Sequence, residues 1–238
     1  MKKQIIYYRI LFIFVIIVLL ATNIYYLEIK KKYINKQEDL KSQKNELKEE
    51  LSFYKNNYNE YLFLGDSITD FYKIQKYFPD YPVINSGISG NTTKDILENL
   101  ETRVYKYNPS KLILLIGIND ITHYKDIDYI ENNIKKIVKK IKTKFPNCEI
   151  YIESVYPINE EWKKRYSGPD LDIVVKSIVK LNQKIKSYCE SNDYKYIDVY
   201  SSLVDNNSLL KSKFSDDGLH LNDVGYKVVT EILINNIS

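Results

Sequence analysis

The chain has 238 residues, of which 44% are hydrophobic and 28% are charged, a balance typical of globular proteins rather than disordered chains. Two cysteines exclude a disulfide-dense scaffold and a four-cysteine zinc site. The formal net charge of +4 is unevenly placed, because residues 1–58 contain 11 basic and 6 acidic side chains, whereas residues 59–238 contain 24 and 25. The larger part is nearly neutral, so we expect no nucleic-acid partner.

An apolar segment follows the basic N-terminus. Residues 10–27 form a run of 18 in which only Thr22 and Asn23 are polar, and as a helix it nearly crosses a hydrocarbon core of about 30 Å. One alternative is a cleaved signal peptide, although its apolar core usually spans about 7–15 residues. Another is a buried helix of a soluble domain. We predict an uncleaved anchor in the lipid bilayer over residues 1–28, with a cytoplasmic tip.

A polar, helix-compatible segment comes next. Residues 29–58 are rich in Lys, Glu, Gln and Asn and contain neither Gly nor Pro. Apolar side chains recur every seven residues at Tyr33, Leu40, Leu47 and Tyr54, while the alternate seam is mostly polar. This pattern predicts a solvated helical stalk that forms at most a weak coiled-coil dimer. Three basic residues precede the apolar run and five lysines follow it within residues 30–41, so the positive-inside rule does not favour a C-terminal domain outside the membrane.

From residue 60 onward, short apolar runs alternate with longer periodic ones. The strand candidates are Tyr61–Leu64, Pro82–Asn85, Lys111–Ile116, Glu149–Val155 and Tyr196–Val199. Apolar residues at helical spacing form three stripes, namely Ile127, Ile130, Ile134, Ile137 and Ile141; Val174, Ile178, Leu181 and Ile185; and Val224, Val228, Ile232 and Leu233. The alternation predicts that residues 59–238 form a three-layer α/β/α sandwich with a mainly parallel sheet, which binds ligands beyond its carboxyl strand ends.

Four short polar segments lie at predicted strand ends or in the last loop. In chain order they are Gly65–Thr69, Asn85–Thr93, Gly117–Asp120 and Asp216–Asn222. A serine at a strand-to-helix turn suits a nucleophile, glycine lets backbone amides approach a ligand, and an asparagine amide can donate to an oxyanion. Each segment by itself is equally consistent with a turn or a helix cap.

The last segment contains the best-placed base. Asp217 and His220 are three positions apart in a turn, so the carboxylate can reach Nδ1 of the imidazole and leave Nε2 free to accept a proton. We interpret the other histidine, His123, as a surface or pocket-rim residue. No H-E-x-x-H, C-x-x-C, P-loop or G-x-G-x-x-G spacing occurs, so we expect neither a metal nor a cofactor.

Taken together and in this order, G-D-S-I, S-G-N-T, G-I-N-D and D-G-L-H resemble the four motif blocks of the SGNH (GDSL) hydrolase superfamily. The resemblance covers about residues 60–238. It implies a flavodoxin-like α/β/α sandwich with a five-stranded sheet, and a serine ester hydrolase. It also implies that Ser67 is the nucleophile, that His220 is the general base and that Asp217 orients the imidazole.

The same resemblance implies an oxyanion hole. Its donors would be the backbone amides of Ser67 and Gly90 and the side chain of Asn119. Asp66 and Asp120 match motif positions that brace these loops. Acyl transfer builds negative charge on a carbonyl oxygen, and each preorganised donor is worth roughly 3 kcal/mol.

The loops around the site are expected to set substrate specificity. Residues 122–128 form one loop and residues 156–172 another, and the second holds Trp162 and Tyr166. An aromatic ring there either contacts a sugar or acyl group or only pins the loop. The segment V-Y-P-I-N-E is similar to relatives that deacetylate carbohydrates, so hydrolysis of O-acetyl esters on small molecules or cell-surface glycans is the first prediction. Lysophospholipid or thioester hydrolysis, O-acyl transfer to a cell-surface polymer, and a non-catalytic binding module are the alternatives.

Membrane-anchored relatives usually face outward, so we expect a single-pass protein of the cell membrane with an extracytoplasmic catalytic domain. Cys148 and Cys189 each precede a predicted strand, at the sheet edge opposite the site. A disulfide between them is one alternative, and two free thiols are the prediction.

Overall fold

The computed structural model describes residues 2–57 and 60–237, and the chain divides into two compact units between Asn56 and Asn57. The first unit is a single helix, α1 (Lys2–Asn57). It includes a stretch that is long and apolar enough to cross a membrane. The side chains of residues 11–27 are exposed, as in a membrane anchor or a signal sequence.

The second unit is built on a sheet in which each strand is parallel to its neighbours. The strands are β1 (Tyr61–Gly65), β2 (Val83–Gly87), β3 (Lys111–Leu115), β4 (Glu149–Glu153) and β5 (Lys195–Ile197). Their order across the sheet is β2-β1-β3-β4-β5, which is the flavodoxin-like order. The prediction of a parallel, five-stranded, flavodoxin-like sheet is confirmed.

The observed strand ends differ from the predicted ones by at most two residues. The largest overextensions, of two residues each, are at the end of β5, predicted to continue to Val199, and at the end of β4, predicted to continue to Val155. There the backbone N–H of Val155 donates to Oδ1 of Asn182 at 2.7 Å, and Nδ2 of Asn182 donates to the Val155 carbonyl at 2.9 Å. A side-chain amide thus replaces the neighbouring strand, which apolar patterning alone does not reveal.

Helices connect the strands and complete the domain. They are α2 (Ser67–Asp70), α3 (Ile74–Tyr77), α4 (Thr93–Glu98), α5 (Leu100–Arg103), α6 (Ile118–Thr122), α7 (Ile127–Lys144), α8 (Glu160–Arg165), α9 (Leu171–Asn192), α10 (Tyr200–Leu203) and α11 (Asp223–Ile237), with 3-10 turns at Tyr105–Tyr107 and Ser212–Phe214. On one face of the sheet α4, α7 and α9 pack side by side. On the other face α11 packs against the chain that follows α2, where the rings of Tyr72 and Tyr226 stack with their centroids 4.6 Å apart. These are the three predicted layers.

The apolar stripes predicted for α7 and α9 are buried along their whole length. The stripe predicted for α11 is wrong, because Leu233 is its only fully buried member and Val224 is 51% exposed. Instead, α11 turns Tyr226 and Thr230 toward the core. The hydroxyl of Tyr226 donates to the carbonyl of Ile68 at 2.7 Å. The same face buries Val229, Leu233 and Ile237, so the apolar stripe of α11 is displaced from the predicted one and includes two side chains whose hydroxyls have internal partners.

Both cysteines are free, as predicted, and both are buried. Cys148 lies immediately before β4, and Cys189 lies in the last turn of α9, which leads into β5. They are therefore at the amino-terminal edge of the sheet. Burial raises the pKa of each thiol to about 12.

The buried stripe of α7 gives a test of the packing. Ile137 is fully buried, so we expect Ile137→Ala to lower the free energy of unfolding by about 2–5 kcal/mol through lost burial and a residual cavity. The matched control is Ile173→Ala on α9, whose side chain is 55% exposed and whose loss should change the value by about 0.5 kcal/mol or less. Urea unfolding of the full chain in detergent, followed by the fluorescence of the single tryptophan, measures both. Equal effects of the two variants would contradict the packing described.

Candidate active site

The predicted nucleophile lies where β1 ends. Gly65 is the last residue of β1, Asp66 caps α2, and Ser67 is the first residue of that helix. Oδ1 of Asp66 accepts the N–H of Ile68 at 3.0 Å. Because Ser67 is in the first helical turn, its own N–H has no intrahelical acceptor. The serine therefore presents both its hydroxyl and its amide at the carboxyl edge of the sheet.

The loop before α11 brings two more predicted residues to this serine. Nε2 of His220 is 2.9 Å from Oγ of Ser67, and Nδ1 of His220 is 2.7 Å from Oδ2 of Asp217. The other oxygen of Asp217 accepts the backbone N–H groups of Leu219 at 2.9 Å and of His220 at 2.8 Å. The structure thus joins the serine, the imidazole and the carboxylate in one hydrogen-bonded chain.

The carboxyl of Asp217 is held in its charged form. Burial acts to raise its pKa, but hydrogen bonds from the His220 ring, from two backbone amides and from the Tyr166 hydroxyl together lower the pKa well below its usual range. Hydrogen bonds to a carboxylate favour ionisation in this way. A fixed negative charge therefore faces Nδ1 of the imidazole.

A glycine sets the path of this loop. Gly218 has a φ of +82°, and a Cβ there would lie 2.2 Å from the backbone nitrogen of Trp162 and 2.5 Å from Oδ1 of Asn159. The N–H of Asn159 donates to the Gly218 carbonyl at 3.0 Å. The segment that contains Asp217 therefore packs directly on the start of α8, and only glycine fits at this position.

The predicted oxyanion donors border the same cavity as the serine. Gly90 follows β2 with a φ of +79°, and its amide donates to no other residue in the described part of the chain. Asn119 lies in α6, after β3, and its Nδ2 donates to the carbonyl of Asn91 at 2.9 Å. That bond fixes the amide group and leaves its second hydrogen for a ligand. The cavity, with a volume of about 290 Å³, includes Ser67, Gly90, Asn119 and His220 in its wall.

Two buried carboxyls lie beneath these loops. The carboxylate of Asp120 accepts the N–H of Thr93 at 2.8 Å and its hydroxyl at 2.7 Å, which ties α6 to α4. Burial raises the pKa of Asp120, although both bonds from Thr93 oppose this. Burial and the nearby Asp120 raise the pKa of Asp66 to about 7. Oδ2 of Asp66 has no hydrogen-bond partner among the described residues.

Arg103 also organises the site, and the sequence analysis did not find it. Its buried guanidinium donates to the Gly65 carbonyl at 3.0 Å, to the Ser86 carbonyl and to Oδ1 of Asn91. One cation thus joins the end of β1 to the loop that carries Gly90. No local pattern marks an arginine whose partners lie 12 to 38 positions away.

Aromatic side chains border the cavity. Phe71 is 50% exposed and its ring centroid lies 4.9 Å from that of His220. It was also missed, although it follows Ser67 by about one helical turn, a spacing that places it near the serine. Trp162 is 1% exposed, which favours the interpretation that it pins its loop. His123 is exposed at the rim.

No group of three His, Cys, Asp or Glu side chains suited to a metal ion occurs in residues 2–57 and 60–237. The chemistry available in the cavity is that of the hydroxyl of Ser67, the imidazole of His220 and amide donors. Such a combination is able to form and stabilise an acyl-enzyme. The fold and these groups define the class of an α/β/α domain built for acyl transfer.

The family follows from comparison with known sequences. Residues 63–228 match the GDSL-like Lipase/Acylhydrolase family. The chain therefore belongs to this family.

Curated relatives match over part of their length. N-acylneuraminate cytidylyltransferase of Escherichia coli is 28% identical over 171 residues, which are 70% of this chain and 37% of that protein. Acetylxylan esterase of Geobacillus stearothermophilus is 30% identical over 95 residues, 29% of this chain and 43% of that protein. Arylesterase of Vibrio mimicus is 30% identical over 129 residues, and the match covers 48% of this chain and 63% of that protein. The chain thus spans between about a third and two thirds of these relatives.

Solved structures share the fold. A protein of Streptococcus pneumonia, provisionally described as a platelet activating factor, has a TM-score of 0.69 and 27% identity over 84% of this chain and 98% of its own. The lipase/acylhydrolase of Enterococcus faecalis has a TM-score of 0.62 and 21% identity, and the match covers 75% of this chain and 95% of that protein. At this level of identity the second likeness concerns the fold alone.

A buried glutamate near the site gives a pH-dependent prediction. Glu153, at the end of β4, accepts a hydrogen bond from the hydroxyl of Tyr156. Burial raises its pKa from 4.5 to about 7, although the bond from Tyr156 acts against this rise. The folded chain therefore holds a proton that the unfolded chain releases above about pH 4.5, so this group costs stability as the pH rises toward 7.

We expect Glu153→Gln to remove that cost. Relative to the parent protein, the variant should gain free energy of unfolding between pH 5 and 7.5, by on the order of 3 kcal/mol in all. Glu149→Gln is the matched control on the same strand, because the salt bridge to Lys195 lowers the pKa of Glu149 and its loss brings no such gain. Urea unfolding at several pH values measures both, and a pH-independent difference for Glu153→Gln would refute the assignment.

Proposed function

We propose that this protein is a serine esterase that hydrolyses O-acetyl esters on carbohydrates, and cell-surface glycans in particular. The observation that carries the proposal is the chain of hydrogen bonds from Ser67 through His220 to Asp217, with heavy-atom distances of 2.9 and 2.7 Å. Family membership supplies the reaction class, and the geometry supplies a role for each residue.

In the proposed first half-reaction, Oγ of Ser67 attacks the ester carbonyl while Nε2 of His220 takes the hydroxyl proton. A serine hydroxyl is weakly nucleophilic at its ordinary pKa and needs such an adjacent base. The charged carboxylate of Asp217 holds the Nδ1–H tautomer and stabilises the imidazolium that forms. The imidazolium then gives its proton to the leaving alcohol, and an acyl-enzyme remains.

In the second half-reaction, water attacks the acyl-enzyme with His220 again as the base, and Ser67 is released. Both steps pass through a tetrahedral oxyanion. The amides of Ser67 and Gly90 and the side-chain amide of Asn119 are its proposed donors, and they are held in place before the charge develops.

The substrate class rests on the cavity and on the relatives. A volume of about 290 Å³ lies near the low end of the range for small-molecule sites, which favours a short acyl group. The acetylxylan esterase among the relatives acts on an acetylated polysaccharide by its name, and the arylesterase acts on aryl esters. These names favour acetyl esters of ring-bearing alcohols over long-chain lysophospholipids.

The proposed location is the outer face of the cell membrane. The apolar run of residues 10–27 is longer than the core of a typical signal peptide, which favours an uncleaved anchor. The lysine-rich stalk of residues 29–58 would lie next to anionic headgroups. Tyr33, Leu40 and Leu47 are exposed on the stalk at heptad spacing, so a weak stalk-mediated dimer belongs to the same proposal.

Substitutions test the catalytic roles. We expect Ser67→Ala and His220→Ala to abolish hydrolysis of 4-nitrophenyl acetate and of acetylated xylan, because they remove the nucleophile and the base. Asn119→Ala should lower kcat by about a hundredfold or more with little change in KM, because its amide acts on the oxyanion. His123→Ala, at the rim, is the matched histidine control and should keep most of the activity. Hydrolysis by Ser67→Ala at the parental rate would contradict the assignment of Ser67 as the nucleophile.

The same assays separate hydrolysis from transfer. A hydrolase releases acetate from the ester in buffer alone, whereas a transferase gives little acetate until a glycan acceptor is added. Esters of graded chain length and lysophospholipids complete the panel. Faster turnover of long-chain esters than of acetates would contradict the proposed substrate class.

Orientation has its own test. We expect protease added to intact cells to remove the catalytic domain, because the proposed topology places it outside. A cytoplasmic marker protein must stay intact in the same sample, and permeabilised cells give the signal for full digestion. Protection of the domain in intact cells would place it in the cytoplasm instead.

A further inference from the structure

The triad carboxylate has a donor from a distant part of the chain. The hydroxyl of Tyr166 donates to Oδ2 of Asp217 at 2.9 Å, and the same oxygen lies 2.7 Å from Nδ1 of His220. Tyr166 is 51 positions before Asp217 in the sequence. A side chain in the loop between α8 and α9 therefore shares the oxygen that orients the imidazole.

The loop that carries Tyr166 is fixed in place. Nζ of Lys163 donates to the carbonyls of Gly168 at 3.2 Å and of Pro169 at 3.1 Å. Gly168 lies against the buried ring of Trp162, where a Cβ would come within 2.9 Å of the indole. The loop is thus held directly before and after Tyr166, and the hydroxyl of Tyr166 is held by Asp217.

The ring of Tyr166 also borders the cavity. It is 38% exposed, and its centroid lies 6.4 Å from that of His220. Phe71 borders the same imidazole at 4.9 Å and is 50% exposed. Because His220 delivers the proton to the leaving alcohol, that alcohol must lie beside the imidazole and hence near these two rings.

We propose that Tyr166 is a positioning and specificity residue that links the leaving-group subsite to the triad. Its hydroxyl aligns Asp217, and its ring forms with Phe71 a subsite for a ring-shaped leaving alcohol, a sugar or an aryl alcohol. Apolar C–H faces of such rings pack on aromatic side chains, and small alkyl alcohols offer less area to bury. This inference rests on the proposed esterase function and adds the alcohol class to it.

The hydroxyl of Tyr166 affects the stability of the His220 imidazolium in a definite direction. The titratable groups that hydrogen-bond to His220 or share its cavity wall are Asp217 on its own loop, Tyr166 after α8 and His123 after α6. The nearby charges that act on Tyr226 of α11 are Asp66, Asp70 and Asp217. Among these groups, Tyr166 donates through its hydroxyl to Oδ2 of Asp217, the oxygen that also contacts Nδ1 of the His220 imidazole. Removing its hydroxyl leaves more negative charge facing Nδ1, which stabilises the imidazolium.

Tyr166→Phe tests the hydroxyl. We expect the acidic limb of the pH profile of kcat/KM to move to higher pH by about half a unit. The reason is that a more stable imidazolium releases its proton only at higher pH. Tyr129→Phe is the matched control, because Tyr129 lies on α7 and is 39% exposed, and it should leave the profile unchanged. A merely structural Tyr166 would give a uniform loss of activity with the limb unmoved, and that result would overturn the positioning role.

Tyr166→Ala tests the ring. With the acetate of methyl xyloside as substrate we expect KM to rise about five- to tenfold, which corresponds to one aromatic contact. With ethyl acetate KM should stay within about twofold, and Tyr166→Phe should keep the parental KM for both esters. An equal rise for both substrates would overturn the specificity role.

The two proposals fail in different ways. If Ser67→Ala hydrolyses acetates at the parental rate, the proposed function itself is wrong, whatever Tyr166 does. If Ser67→Ala is inactive and Tyr166→Phe has the parental pH profile, only the positioning role is wrong. The tryptophan fluorescence of each Tyr166 variant must match that of the parent, which confirms that the loop around Trp162 is intact.

Discussion

The hydrogen bond between Ser67 and His220 joins residues 153 positions apart, and the rest of the site is arranged around it. Because the strands are parallel, the segments after β1, β2 and β3 meet at one edge of the sheet. The loop before α11 reaches that edge because α11 packs on the chain that follows α2, through the stacked rings of Tyr72 and Tyr226. An aromatic contact in the layer beneath the site therefore sets where the imidazole meets the serine.

Buried ionisable groups hold the loops, and each has a cost. Asp66, Asp120, Glu153 and Arg103 are all less than 6% exposed, and taking such groups out of water is unfavourable. Hydrogen bonds offset part of that cost, and their directions fix the loops in one arrangement. Well-packed apolar residues in place of buried charges are often neutral or stabilising in proteins, but they would not hold the Gly90 loop against the end of β1 as the guanidinium of Arg103 does.

Most of the fold and the main site residues were accessible from sequence, because their signals are local. Buried parallel strands are visible in the sequence as short apolar runs, and the polar segments that follow them are equally visible. Arg103 and Glu153 were missed because their roles depend on partners brought near by the tertiary fold. The amide of Asn182 that ends β4 is invisible to apolar spacing for the same reason. Phe71 is predictable from sequence, because it follows Ser67 by about one helical turn.

The state of the two cysteines has a consequence for the environment in which the domain folds. Cys148 and Cys189 form no disulfide, and burial keeps both thiols protonated with a pKa of about 12. A protonated, inaccessible thiol is a poor nucleophile and a poor target for oxidants. The stability of the domain therefore does not depend on the redox poise of its surroundings, and the same covalent structure serves in a reducing cytosol and at an oxidising cell surface.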